Sequence, residues 1–215
     1  MKRNRIKGLL LAMGIVLNTG CAEHSAQERS TDRVKDQEIV ASVDGEPIRY
    51  GEFALMMMRE RSKAVQYFYD KYKAEDSTRY WTTRFGKEIP IEWLKSAALD
   101  EARRIKVQQM IARDEGIVQR IDYSDFRNGW IEENERRRKA ADKKMILYGP
   151  LQYDENTYYD YVFSNMVFQV KEKQRESSGL TVEEGEKRYE KLVDRRLGAV
   201  TEVIERDVYD RIKTP

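Results

Sequence analysis

The chain carries a single cysteine, a single histidine, four prolines and twelve glycines in 215 residues. One cysteine excludes a disulfide framework within the chain, and Cys21 with His24 cannot supply the paired ligands of a zinc site. His24 lies in a polar stretch near the N-terminus, so a histidine-based nucleophilic or acid–base mechanism has no second residue to work with. No Gly-rich phosphate loop and no nucleophile–histidine pair is present, and no cofactor or metal is expected. Basic and acidic residues number 40 and 38, which leaves no cationic excess of the kind nucleic-acid binding needs. With few prolines and glycines to interrupt it, the chain is free to form long helices.

What is present begins with an export pattern. Lys2, Arg3, Arg5 and Lys7 precede an apolar run from Gly8 to Leu17. About ten residues are too few to settle as a transmembrane helix, so 1–20 reads as a signal peptide. Leu17-Asn18-Thr19-Gly20-Cys21 resembles a bacterial lipobox, in which Cys21 would be lipidated. Asn18 stands where a leucine-like residue is usual, with Leu17 one place early. A secretory cut after Ala22 is the other reading. Without the four leader cations the balance is 36 basic to 38 acidic residues, so the leader alone accounts for the basic character. Residues 21–38 are charged and almost without apolar side chains, which predicts a flexible tether.

The folded part is expected over 39–215 as a single domain, with 39–147 as its first region and 148–215 as helices packing back on it. Ile39–Val43 is a short β-branched run ending in Asp44-Gly45, a strong hairpin signal. Pro47, which has no N–H to donate, suits an edge strand. Long helical patterns follow at about 52–73, 91–115, from Asp122 onward, and 155–176. The last opens at the capping box Thr181/Glu184 and is expected to run nearly to the end. Gly116-Ile117 reads as a left-handed C-terminal stop. Glu132 to Arg138 is dense in both signs of charge and reads as i,i+4 pairs on a solvated face. The expected fold is mainly α, about five long helices with a small N-terminal β-hairpin.

Val43-Asp44-Gly45-Glu46-Pro47-Ile48 with Glu52-Phe53, then a helix holding Leu94, Lys106 and Val107 and closing Glu115-Gly116-Ile117, resembles the N-terminal chaperone region of the SurA/PrsA group of exported foldases. The resemblance runs from Ile39 to about Phe126. It implies a SurA N-terminal or trigger-factor peptide-binding fold and a module that binds unfolded or extended polypeptide. The family's parvulin isomerase domain and its histidines have no counterpart here, so catalysis is not expected. Candidate peptide-binding residues are Met56, Met58, Tyr69, Tyr80, Trp81, Tyr159 and Phe163, because flexible thioethers and aromatics tolerate varied partners. Each also reads as a core residue. The expected setting is the outer face of a bacterial membrane, through a lipid on Cys21, or secretion in soluble form. A scaffold lipoprotein for one specific partner is the alternative, and an isomerase or other enzyme a third.

Overall fold

The computed structural model describes residues 33–75 and 77–214. The leader, the lipidation candidate Cys21, the alternative cut at Ala22 and most of the expected tether lie outside the described residues. Strands β1 (Ile39–Val43) and β2 (Glu46–Arg49) lead directly into helix α1 (Tyr50–Tyr72). A 3-10 turn at Tyr80–Thr82 precedes α2 (Pro90–Asp114), α3 (Tyr123–Asp142), α4 (Glu155–Ser178) and α5 (Val182–Leu197). A third strand, β3 (Glu202–Ile204), and the short helix α6 (Arg206–Tyr209) complete the order. The fold is mainly helical, as expected.

Asp44 and Gly45 both take positive φ, 49° and 84°, the type I′ geometry whose twist matches the flanking strands. β1 lies between β2 and β3, antiparallel to both. Pro47 therefore sits on an outer strand, where its missing donor costs no ladder bond. Val40, Val43 and Ile48 point into the core with Phe53, Met56 and Met57 of α1. Helix α2 is central: it packs on α1 along its length and also meets α4 and α5. Its C-terminus is a Schellman motif. Gly116, at φ 71°, donates to Arg113, while the N–H of Ile117 reaches back to Ala112.

The structure corrects three expectations. The last helix stops at Leu197, and the chain then adds a strand to the sheet. Val200, Ile204 and Val208 continue the helical spacing of α5, but four of the five residues from Val200 to Ile204 are β-branched, which favours a strand. β3 satisfies the free backbone edge of β1, and the N–H of Glu205 adds a bond to Val40 O at 2.9 Å. Residues 34–38, expected to be part of a tether, belong to the folded body. Val34 is buried in the core, Asp36 pairs with Arg127, and Glu38 pairs with Arg211. The charge-dense stretch of α3 is only partly a solvated face. Arg137 and Lys139 form the expected i,i+4 pairs with Glu133 and Glu135, and Arg136 pairs with Glu133 at i,i+3, but Arg137 is also buried and reaches the following loop.

Two further cations, Lys95 and Lys106, are fully buried. Lys95 lies 3.0 Å from Glu92, donates to Tyr209 O at 3.3 Å, and sits 4.4 Å above the Tyr209 ring, fastening α6 to α2. A smaller aromatic cluster gathers Phe68, Tyr80, Trp81 and Phe85. At its edge Glu88 accepts from Lys71, Tyr72 and Tyr67. Those bonds, Lys71's first, pull the Glu88 carboxyl down to about 2.

Candidate functional site

Residues of the segment 118–126, α3 and the first half of α4 enclose a cavity of about 410 Å³. Its apolar walls are Val118, Ile121, Phe126, Val162, Phe163 and Met166, and Tyr123 and Tyr158 stand beside them. Arg120, Asp122 and Asp125 bring charge to the lining. The size falls within the range of sites that hold small ligands or a few side chains, and the mixture of apolar wall and sparse polar groups is typical of them.

Local sequence positions each wall. Asp122 caps α3, its carboxylate accepting from the Ser124 N–H at 2.8 Å, and also takes Arg49 from the end of β2 at 2.8 Å. Burial opposes the charge on Asp122, but the bonds from Arg49 and Ser124 outweigh it and hold the carboxyl well below the usual carboxylate range. Asp154 caps α4 in the same manner through Thr157. The Phe126 ring meets Tyr159 edge-on at 4.9 Å, and Tyr159 stacks with Phe163 one turn further on. Tyr123 donates to Glu155, so the N-terminal ends of α3 and α4 are tied together.

Beneath the cavity lies a buried polar network. Glu52 of α1 and Lys106 of α2 form an ion pair at 3.0 Å with both side chains out of water. Tyr159 donates its hydroxyl to the other Glu52 oxygen at 2.8 Å, and Lys106 donates to Ile121 O at 3.1 Å. Burial, then the neighbouring Glu52 charge and the bond to it, push the Tyr159 hydroxyl well above its ordinary value. This phenol stays protonated and acts as a donor, and the ammonium and carboxylate are committed to each other. Such a network locks three helices in register and offers no free base to a substrate. Glu52 and Lys106 both belong to the motifs that carry the foldase resemblance, and the fold brings them together across 54 positions of sequence.

The seven candidate peptide-binding residues divide into groups. Tyr159 and Phe163 line the cavity, Tyr159 as a buried part of its floor and Phe163 as a part-exposed wall. Met56 and Tyr80 are 0% and 2% exposed. They are core residues: Met56 belongs to the main apolar core and Tyr80 packs beside Phe68. Trp81 is half-buried, with Arg61 5.6 Å above its ring. Met58 and Tyr69 are exposed on the outer face of α1 with Val65, and none of the three contributes to the cavity. Phe126, Tyr158, Val162 and Met166 were not singled out by sequence. For Tyr158, Val162 and Met166 the signal was a broad apolar face on α4, whereas Phe126 belongs to α3.

No family model matches this chain, and no solved structure matches it. Over 113 residues it is 26% identical to a curated protein, the chaperone for lacto-N-biosidase of Bifidobacterium longum subsp. longum. The matched stretch covers 53% of this chain and 40% of that protein, so the chain spans about two fifths of the length of the curated relative it matches. More than half of this chain is thus similar to part of a protein that serves as a chaperone for an enzyme.

Proposed function

We propose that this chain is a chaperone-like module that binds unfolded or extended polypeptide without catalysis. The observation that carries the reading is the cavity between α3 and α4, an apolar recess with its floor locked by Glu52, Lys106 and Tyr159. A rigid floor with part-exposed walls at Phe163 and Val162 suits one or two apolar side chains of an extended client, with affinity summed over a longer chain. The similarity to part of a named chaperone supports the same class. In this reading the protein is exported and held at the outer face of a cell membrane by a lipid on Cys21.

The direct test is suppression of the aggregation of a chemically unfolded client by the full chain. Protection at a several-fold molar excess is expected, and Phe163→Asp should reduce it while helix content is unchanged. No protection at that excess, or the same protection from Phe163→Asp, overturns the assignment. Turnover of a prolyl peptide is expected to be absent. Mass spectrometry of the mature N-terminus tests the anchor: a diacylglycerol adduct on Cys21 is expected, and a start at Glu23 refutes it.

A second reading, a dedicated holder of one folded or folding partner, draws on the relative, whose name gives it a single enzyme as client. It predicts a saturable one-partner complex in crosslinking and no general protection from aggregation.

A further inference from the structure

The turn joining α3 to α4 presents apolar side chains outward on a fixed frame. Met145 is 61% exposed, Ile146 83%, Tyr148 86% and Leu151 59%. A turn that merely tolerated such residues would let them fold onto the helices below. Here the backbone is held in place instead. The Arg137 guanidinium donates to Pro150 O at 2.7 Å and to Tyr148 O at 3.1 Å, and lies 4.5 Å over the Tyr153 ring. Asn134 both donates to Tyr153 O and accepts from Tyr153 N, and the Trp130 indole donates to the same carbonyl. Polar groups of α3 thus spend their bonds on the turn's main chain while its apolar side chains face water.

The charge on the adjoining end of α3 is mostly positive. Between Arg138 and Leu151 there are four basic residues and one acid, Asp142. Lys139 lies 3.7 Å from Glu135. Arg138, Lys143 and Lys144 are exposed and form no ion pair among the described residues. Lys144 also occupies the left-handed position that closes α3, at φ 54°, with its N–H on Ala141 and that of Met145 on Ala140. Glycine is the usual residue there, so the lysine costs backbone strain, as Lys73 does at the end of α1.

We propose that this tip docks on an anionic lipid surface, the apolar side chains entering the headgroup boundary and Arg138, Lys143 and Lys144 meeting lipid phosphates. Large apolar side chains with a tyrosine among them, following directly on unpaired cations at the end of α3, fit the interface between headgroups and acyl chains. A client polypeptide would be gripped in a recess, whereas these side chains form a projecting end. The inference does not rest on the α3–α4 cavity, and the residues it uses lie outside that cavity's lining.

The test uses the full chain with Cys21→Ser, to which Ile146→Cys is added and labelled with an environment-sensitive fluorophore. A second protein carries the label at Val182→Cys, an exposed site on α5. Vesicles of phosphatidylglycerol with phosphatidylcholine should blue-shift and brighten the label at 146 and leave that at 182 unchanged. Vesicles of phosphatidylcholine alone should do neither, and high salt should weaken the response. Lys143→Gln with Lys144→Gln should lower the apparent affinity for the anionic vesicles roughly ten- to thirty-fold. The proposal is overturned if both labels respond alike, if neutral vesicles serve as well, or if the charge removal has no effect. It is equally overturned if the label at 146 shifts with protein concentration or with unfolded client and not with lipid, which would assign the tip to a second copy or to the client.

Discussion

The buried pair of Glu52 and Lys106 offers the sharpest test of how this fold is held. At 3.0 Å and an effective dielectric of about 20, the gross attraction is roughly 5–6 kcal/mol. Desolvation of both ions offsets much of that, so the pair adds little over a well-packed apolar replacement. The asymmetry appears when one partner is removed. Lys106→Met leaves the Glu52 carboxylate buried with the Tyr159 hydroxyl as its hydrogen-bond donor and Arg49 as a more distant charge, and Ile121 O loses its donor. The expected loss is about 3–5 kcal/mol, or roughly 6–20 °C in Tm for a domain of this size. Combining Glu52→Gln with Lys106→Met removes the stranded charge and keeps an acceptor for Tyr159, so the double variant should recover at least about 2 kcal/mol over the sum of the singles. Urea unfolding followed by far-UV circular dichroism measures all four corners of the cycle. Additivity within about 0.5 kcal/mol, or a Lys106→Met protein as stable as the parent, would refute the reasoning.

Two glycines in helices should respond in opposite directions. A Cβ on Gly51 would lie 2.2 Å from Cε1 of the buried Tyr123 ring, so Gly51→Ala should cost about 1–3 kcal/mol by overpacking. A Cβ on Gly185 would meet only Arg175 methylenes at 3.5 Å or more, so Gly185→Ala should stabilise α5 by about 0.5–1 kcal/mol; thermal melts distinguish the two. Asp122 and Glu88 both have carboxyls lowered from ordinary values of 3.8 and 4.5. The stability they contribute is therefore complete above those values and is lost as pH falls toward the depressed ones. Acid unfolding of Asp122→Asn should accordingly be less steep below about pH 4 than that of the parent, and equal steepness would contradict the Arg49 contact. Lys144→Gly should raise stability by up to about 1 kcal/mol by relieving the left-handed backbone, while weakening attachment to anionic vesicles.

Local chemistry was legible in the sequence. Asp44-Gly45 made the hairpin, Asp122, Asp154 and Thr181 opened the helices that follow them, and Gly116 closed α2, because each acts through bonds to its own few neighbours. Partners far apart in sequence were not legible. Nothing in a helical repeat tells that Glu52 will face Lys106 and Tyr159, that Arg137 will hold a loop as well as pairing with Glu133, or that Lys95 will lie over Tyr209. The end of the chain shows the same limit from the other side: Val200 to Ile204 carries both a helical stripe and a β-branched run. The free edge of β1, which exists only once the hairpin has folded, decides for the strand. Periodicity likewise marks which face of α4 is apolar, but which part of that face is covered depends on where α3 comes to rest. Tyr159 is therefore floor, Phe163 wall, and Phe126 a partner that only packing could supply.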